Sequence, residues 1–138
     1  MRIVRHATRP ALTALVALLP GAAWAEDRPA LSAEAFEALT EGRIMDHFEA
    51  GGRYGAEEYL PGRRVIWQDA EGCMTGRWFE AGGLICFVYD GQEGSWCWTY
   101  HPDAEGLTAR LDGDPAARPI LLRPSALPLS CPQESPLS

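Results

Sequence analysis

Lysine and asparagine are absent from the 138-residue chain, so all 12 of its basic residues are arginines. Without asparagine there is no N-glycosylation acceptor. Histidine is scarce, at His6, His47 and His101, which leaves little material for a metal centre or a general base. The four cysteines, Cys73, Cys86, Cys97 and Cys131, come no closer together than eleven residues. That spacing excludes a thioredoxin-like CxxC couple, a CxxCH haem attachment and a zinc ribbon. Equally missing are a G-x-S-x-G elbow, an HxH or HExxH pair and an EF-hand loop. No apolar run reaches the roughly 20 residues of a membrane-spanning helix.

What the opening does contain is an export pattern. Arg2, Arg5 and Arg9 precede or flank a nine-residue run from Ala11 to Leu19, followed by Pro20-Gly21 and Ala23-Trp24-Ala25. As a helix that run rises only about 14 Å, too short to anchor in a bilayer. It reads as a Sec-type signal peptide over 1–25, cleaved after Ala25, followed by a linker at 26–31. There is no Arg-Arg pair for the twin-arginine route and no cysteine just after the cleavage site to carry a lipid. Losing the leader's three arginines takes the formal charge from −7 to −10. A surface of that sign repels nucleic acid and anionic lipid, so neither nucleic-acid binding nor stable membrane insertion is expected. The richness in Ala, Arg, Gly and Pro beside the missing Lys and Asn is the bias of GC-rich bacterial genomes, which makes the periplasm, or secretion beyond it, the expected destination.

Leu31-Ser32-Ala-Glu-Ala-Phe36 has the form of a helix start, with Ser32 as cap, Glu34 at the positive end of the dipole and Leu31 stapled to Phe36. Gly42 would end it, and Ala35, Phe36 and Leu39 would share its apolar face. From Arg43 onward, runs of β-branched and aromatic residues alternate with Gly, Asp and Pro every 8 to 12 residues. Strands are expected near 43–48, 54–59, 63–68, 74–80, 84–89, 96–101, 107–111 and 119–122. The connections are too short for parallel crossovers. The expected fold is therefore mainly β: an antiparallel up-and-down meander, a small barrel or sandwich of seven to eight strands with one short N-terminal helix. A single β-rich domain would occupy 32–123, and 124–138 would form a proline-rich tail tied by Cys131. The continuous apolar run Leu84–Tyr89 predicts a strand covered on both faces, by the interior and by the helix or an opposing sheet.

An even number of cysteines in an exported domain of this size predicts two disulfides. Four cysteines allow three pairings. If residues 90–93 form the loop between the fifth and sixth strands, Tyr89 faces Gly94 and Cys86 falls opposite Cys97, within bridging distance. Cys73 then pairs with Cys131.

No catalytic set emerges. His47 and His101 are the only histidines after the leader, and with Asp46, Glu57, Glu58, Met45 or Met74 they form at most a weak metal-binding pattern. Glu57 and Glu58, adjacent on a strand, point to opposite faces and cannot flank one bond as a glycosidase pair does. They are expected at a solvated edge or in an ion pair with Arg63 or Arg64. No cofactor motif is present. Trp96, Trp98 and Tyr100 alternate onto one face, where they form either a core wall or a ligand platform; burial is the commoner fate of large rings.

Cys73-x-x-Gly76-x-Trp78, Ile85-Cys86-Phe87-x-Tyr89 and Cys97-Trp98, preceded by Tyr54-Gly55-x-Glu57-x-Tyr59 and Trp67, resemble small exported bacterial proteins of a domain-of-unknown-function family. The likeness spans residues 32–101. It implies a periplasmic β-domain and carries no catalytic residues to transfer. The Gly-x-Trp ahead of a meander also resembles lipocalin-type and small protease-inhibitor barrels. The function expected is that of a non-enzymatic periplasmic binding module for a small apolar molecule or a partner protein, with Trp67, Trp78, Trp96, Trp98 and Tyr100 as candidate binding residues. The alternatives are an inhibitor of an exported hydrolase, acting through loop 90–95 or the tail, and a metal carrier or enzyme using His47 and His101.

Overall fold

The computed structural model describes residues 28–132. The signal peptide expected over 1–25 lies outside the described residues, as do the last six positions. A helix, α1 (Ala33–Thr40), precedes eight strands: β1 (Ile44–Glu49), β2 (Gly52–Leu60), β3 (Arg64–Asp69), β4 (Gly72–Ala81), β5 (Leu84–Tyr89), β6 (Trp96–Pro102), β7 (Leu107–Leu111) and β8 (Ile120–Pro124). Each strand pairs antiparallel with the next, and β8 returns to β1 to close a barrel. Among the described residues no helix is long and apolar enough to cross a membrane.

The meander follows from turn chemistry. Between β4 and β5 the loop is only Gly82-Gly83, with φ of 59° and 80°, the left-handed pair that a two-residue hairpin demands and that glycine supplies without strain. Closure follows from β8, where Met45 faces Pro124 and His47 faces Leu122. Pro124 lacks an amide hydrogen, so it ends the ladder, and Ser125 donates instead to the Ile44 carbonyl at 2.8 Å. A closed sheet leaves no unpaired edge to recruit other chains.

Side chains alternate between the barrel interior and its surface. Tyr59, Val65, Ile85 and Leu122 are almost completely buried inside. α1 seals one end. Ser32 caps it by accepting from the Ala35 amide at 3.1 Å, and Phe36, fully buried, drives into the barrel. Its ring meets those of Tyr59, Trp78, Phe87 and Tyr100 at centroid distances of 5.7, 5.2, 6.3 and 4.4 Å. Arg63 lies 4.5 Å above the Trp78 ring and reaches Glu37 of the helix at 3.2 Å, so the plug is clamped from outside as well.

Both expected disulfides form, one by strand register and the other as the remaining pair. Cys86 is opposite Cys97 in the β5–β6 ladder and bonded to it. Cys73 of β4 is bonded to Cys131, and Ser130 donates to the Gln68 side chain at 3.0 Å, so the segment after β8 lies back along β3 and β4.

Four details depart from expectation. The supposed linker is engaged: Leu31 donates to the Tyr100 carbonyl at 2.8 Å and packs on the core. The buried face of α1 is Ala33, Phe36 and Thr40, while Leu39 is exposed; Thr40 enters the interior because its hydroxyl donates to the Phe36 carbonyl at 2.8 Å. The outer face of β5 is buried at Cys86, which is bonded to Cys97, whereas the helix meets the inner face at Phe87. Glu57 is neither at a solvated edge nor paired with Arg63 or Arg64; it is buried inside the barrel.

Candidate functional site

α1 fills only one end of the barrel. At the other, beneath the turns that join β3 to β4 and β5 to β6, a cavity of about 300 Å³ opens to the surface. That volume is at the small end of ligand pockets.

The walls are aromatic. Trp67 comes from β3, Tyr89 from β5, and Trp96, Trp98 and Tyr100 from alternate positions of β6. Tyr54 joins them through an irregularity in the β1–β2 ladder: His47 pairs with Gly55 but Phe48 pairs with Arg53, so one residue of β2 is left over. Such a bulge re-aims a side chain, and Tyr54 lies against His47 and Trp67, with ring centroids 6.2 and 5.7 Å away. Gly55 makes room for this arrangement, since a Cβ there would overlap the Trp67 indole. On a second arc of the barrel Tyr89 and Trp96 pair at 6.1 Å.

Deep in this aromatic cup lies a carboxylate. Glu57 is 3 % exposed; Tyr89 donates its phenol hydrogen to Oε1 at 2.8 Å and Tyr59 donates to Oε2 at 3.4 Å. Burial pushes its pKa up to about 7, against the pull of the two phenols. The phenols move too: burial next to Glu57 raises both Tyr89 and Tyr59, and burial with Glu49 and Glu57 nearby takes Tyr54 up to about 12. His47, also lining the cavity, donates from Nδ1 to the Met45 carbonyl at 3.0 Å. Nε2 is thereby left as the lone-pair nitrogen, and burial lowers the ring's pKa to about 4 despite that bond and Asp46.

Of the five residues singled out from sequence as candidate binders, Trp67, Trp96, Trp98 and Tyr100 meet around this cavity. Trp78 does not; it belongs to the sealed end beneath Arg63. The two histidines are separated as well. His101 faces away from the interior, its Nδ1 donating to the Arg28 carbonyl at 2.9 Å. Met74 lines the cavity with His47, but among the described residues no three His, Cys, Asp or Glu side chains are grouped to hold a metal ion.

Sequence reasoning missed Glu57, Tyr89 and Tyr54. Glu57 shares a strand face with Tyr59, two residues on, but nothing in the sequence shows which face of β2 turns inward. No family model, curated protein or solved structure matches the chain.

Proposed function

We propose that this protein is a binding module, exported to the periplasm or beyond, that holds a small organic molecule in the open end of its barrel. The observation that carries this reading is the asymmetry of the interior. One end is packed solid by Phe36, while the other keeps an unfilled, aromatic-walled cavity with an organised polar group at depth. A barrel that needed only to be stable would gain by filling that space, because each buried methylene adds about 0.8 kcal/mol. Binding rather than catalysis is supported by the lining, which among the described residues offers no serine, threonine or cysteine beside His47 as a nucleophile.

Export is supported by the leader pattern and by two disulfides, which persist in oxidising compartments. The resemblance read from the Tyr54–Tyr59 and Cys73–Trp98 residues, to small exported bacterial proteins, would agree with this destination. Two of those residues, Glu57 and Tyr89, are the hydrogen-bonded pair inside the cavity.

The test is native mass spectrometry of protein purified under non-denaturing conditions from its own host, followed by titration of the emptied protein with the neutral aromatic probe N-phenylnaphthylamine. A retained small organic adduct, or saturable probe binding that is lost in a Trp67→Ala, Trp98→Ala variant, is the expected result. A protein that carries nothing and binds no probe would overturn the reading.

A further inference from the structure

The cavity's charge inventory is lopsided. Three of its donors are committed within the protein: Tyr89 to Glu57, His47 Nδ1 to the Met45 carbonyl, and the Trp67 indole N–H to Asp69 at 2.9 Å. The others, the Trp96 and Trp98 indoles, the Tyr54 and Tyr100 hydroxyls and the Gln92 amide, are neutral. The cavity's acceptors are not exhausted. A carboxylate has about four lone-pair sites, of which Glu57 uses two on phenols, and His47 retains Nε2. Glu71 adds a second acidic side chain at the rim. Among the described residues no arginine lines the cavity, and the chain has no lysine at all. Aromatic faces supply the rest, and their negative quadrupoles attract cations and have no comparable attraction for anions.

From these juxtapositions the geometry points to an organic cation, a quaternary or protonated amine of modest size, held between the Tyr54–Trp67 and Tyr89–Trp96 pairs with its charge toward the Glu57 carboxyl. This rests on the reading of the cavity as a binding site and adds the chemical class of its ligand. The acidic surface, −10 after leader removal, draws such a ligand in and repels anions. An anionic ligand would meet Glu57 and Glu71 with no basic side chain to compensate. A purely apolar ligand would leave Glu57 desolvated without new partners, a cost that a cation removes.

The test uses three probes of one shape and different charge: choline, its uncharged carbon isostere dimethylbutanol, and the anionic dimethylbutanoate. Each is titrated at fixed low ionic strength while the indole N–H resonances of the four tryptophans in the mature chain are followed by NMR. Choline is expected to bind at least about tenfold more tightly than dimethylbutanol, with dimethylbutanoate weakest, and to shift Trp67, Trp96 and Trp98 but not Trp78. In Glu57→Gln, which keeps the side chain's shape and can still pair with both phenols, its amide oxygen accepting from Tyr89 and its amide nitrogen donating to the Tyr59 oxygen, the preference should shrink to less than about threefold with dimethylbutanol affinity unchanged. Dimethylbutanol or dimethylbutanoate binding as well as choline would overturn the cation assignment, and so would a preference that survives in Glu57→Gln. If dimethylbutanol or N-phenylnaphthylamine still moves the three indoles, the cavity remains a binding site and only its ligand class is wrong. If nothing moves them, both readings fall together.

Discussion

Tyr89 and Glu57, brought from β5 and β2 to the inside of one barrel, share a 2.8 Å hydrogen bond in which the phenol donates and the buried carboxylate accepts. The pair makes the cavity polar at depth while its walls stay aromatic, and it ties the site's behaviour to proton binding.

Two buried groups with opposite shifts should produce a pH dependence that is nearly invisible in the native protein. Glu57, raised from 4.5 to about 7, holds its proton more tightly when folded, so its contribution to stability falls as pH rises through that interval. His47, lowered from 6.5 to about 4, is protonated more readily when unfolded, so its contribution rises with pH between those values. Each amounts to about 3 kcal/mol across its window, and between pH 4.5 and 6.5 the slopes cancel. Urea unfolding at a series of pH values should show a flat native profile there. It should rise with pH in Glu57→Gln and fall with pH in His47→Asn, whose amide can still donate to the Met45 carbonyl. Slopes of the same sign in both variants would refute the assignment.

Removing the plug and trimming the mouth should have different consequences. Phe36→Ala empties a site in contact with four rings and is expected to cost about 3–5 kcal/mol in chemical denaturation. Trp96, 41 % exposed at the open end, should cost less than about 1 kcal/mol as Trp96→Ala but weaken probe binding several-fold. If Trp96→Ala were as destabilising as Phe36→Ala, the open end would be core and not a platform.

Gly55 faces the indole of Trp67 so closely that any Cβ displaces it. Gly55→Ala should cost about 1–3 kcal/mol through overpacking and change Trp67 fluorescence, since its bond to Asp69 must be remade. An unchanged emission spectrum and stability would show that Trp67 is placed by other means.

The bridge between Cys73 and Cys131 braces the outside and takes no part in the cavity. Replacing both with alanine removes a constraint over 58 residues and should lower stability by about 4 kcal/mol while leaving probe affinity within twofold. Loss of binding in a variant that stays folded would mean that the segment after β8 supports the mouth.

The architecture was legible because turn chemistry and strand length depend on local sequence: all eight strands lie within a few residues of where punctuation places them, and a loop count fixes the partnership of Cys86 and Cys97. Barrel closure was not legible, because the β1–β8 pairing joins residues separated by most of the domain and no local pattern encodes it. The site was half visible. Trp96, Trp98 and Tyr100 declare their common face by alternation, but Tyr54 and Tyr59 on β2 have opposite parity, and only the bulge opposite His47 and Phe48 reconciles them. With that parity hidden, the inward direction of Glu57 could not be fixed, and a glutamate of unknown direction defaults to the surface. For Trp78, an aromatic on the inner face looks the same in sequence at either end of a barrel, and its burial was decided by where Phe36 enters.

The central claim, that one end of the barrel is solid and the other an accessible binding cavity, is tested most directly by the four indole N–H resonances of Trp67, Trp78, Trp96 and Trp98 during titration with N-phenylnaphthylamine. Saturable shifts of Trp67, Trp96 and Trp98 with Trp78 unmoved are predicted. Uniform small shifts of all four, or none at saturating probe, would contradict it.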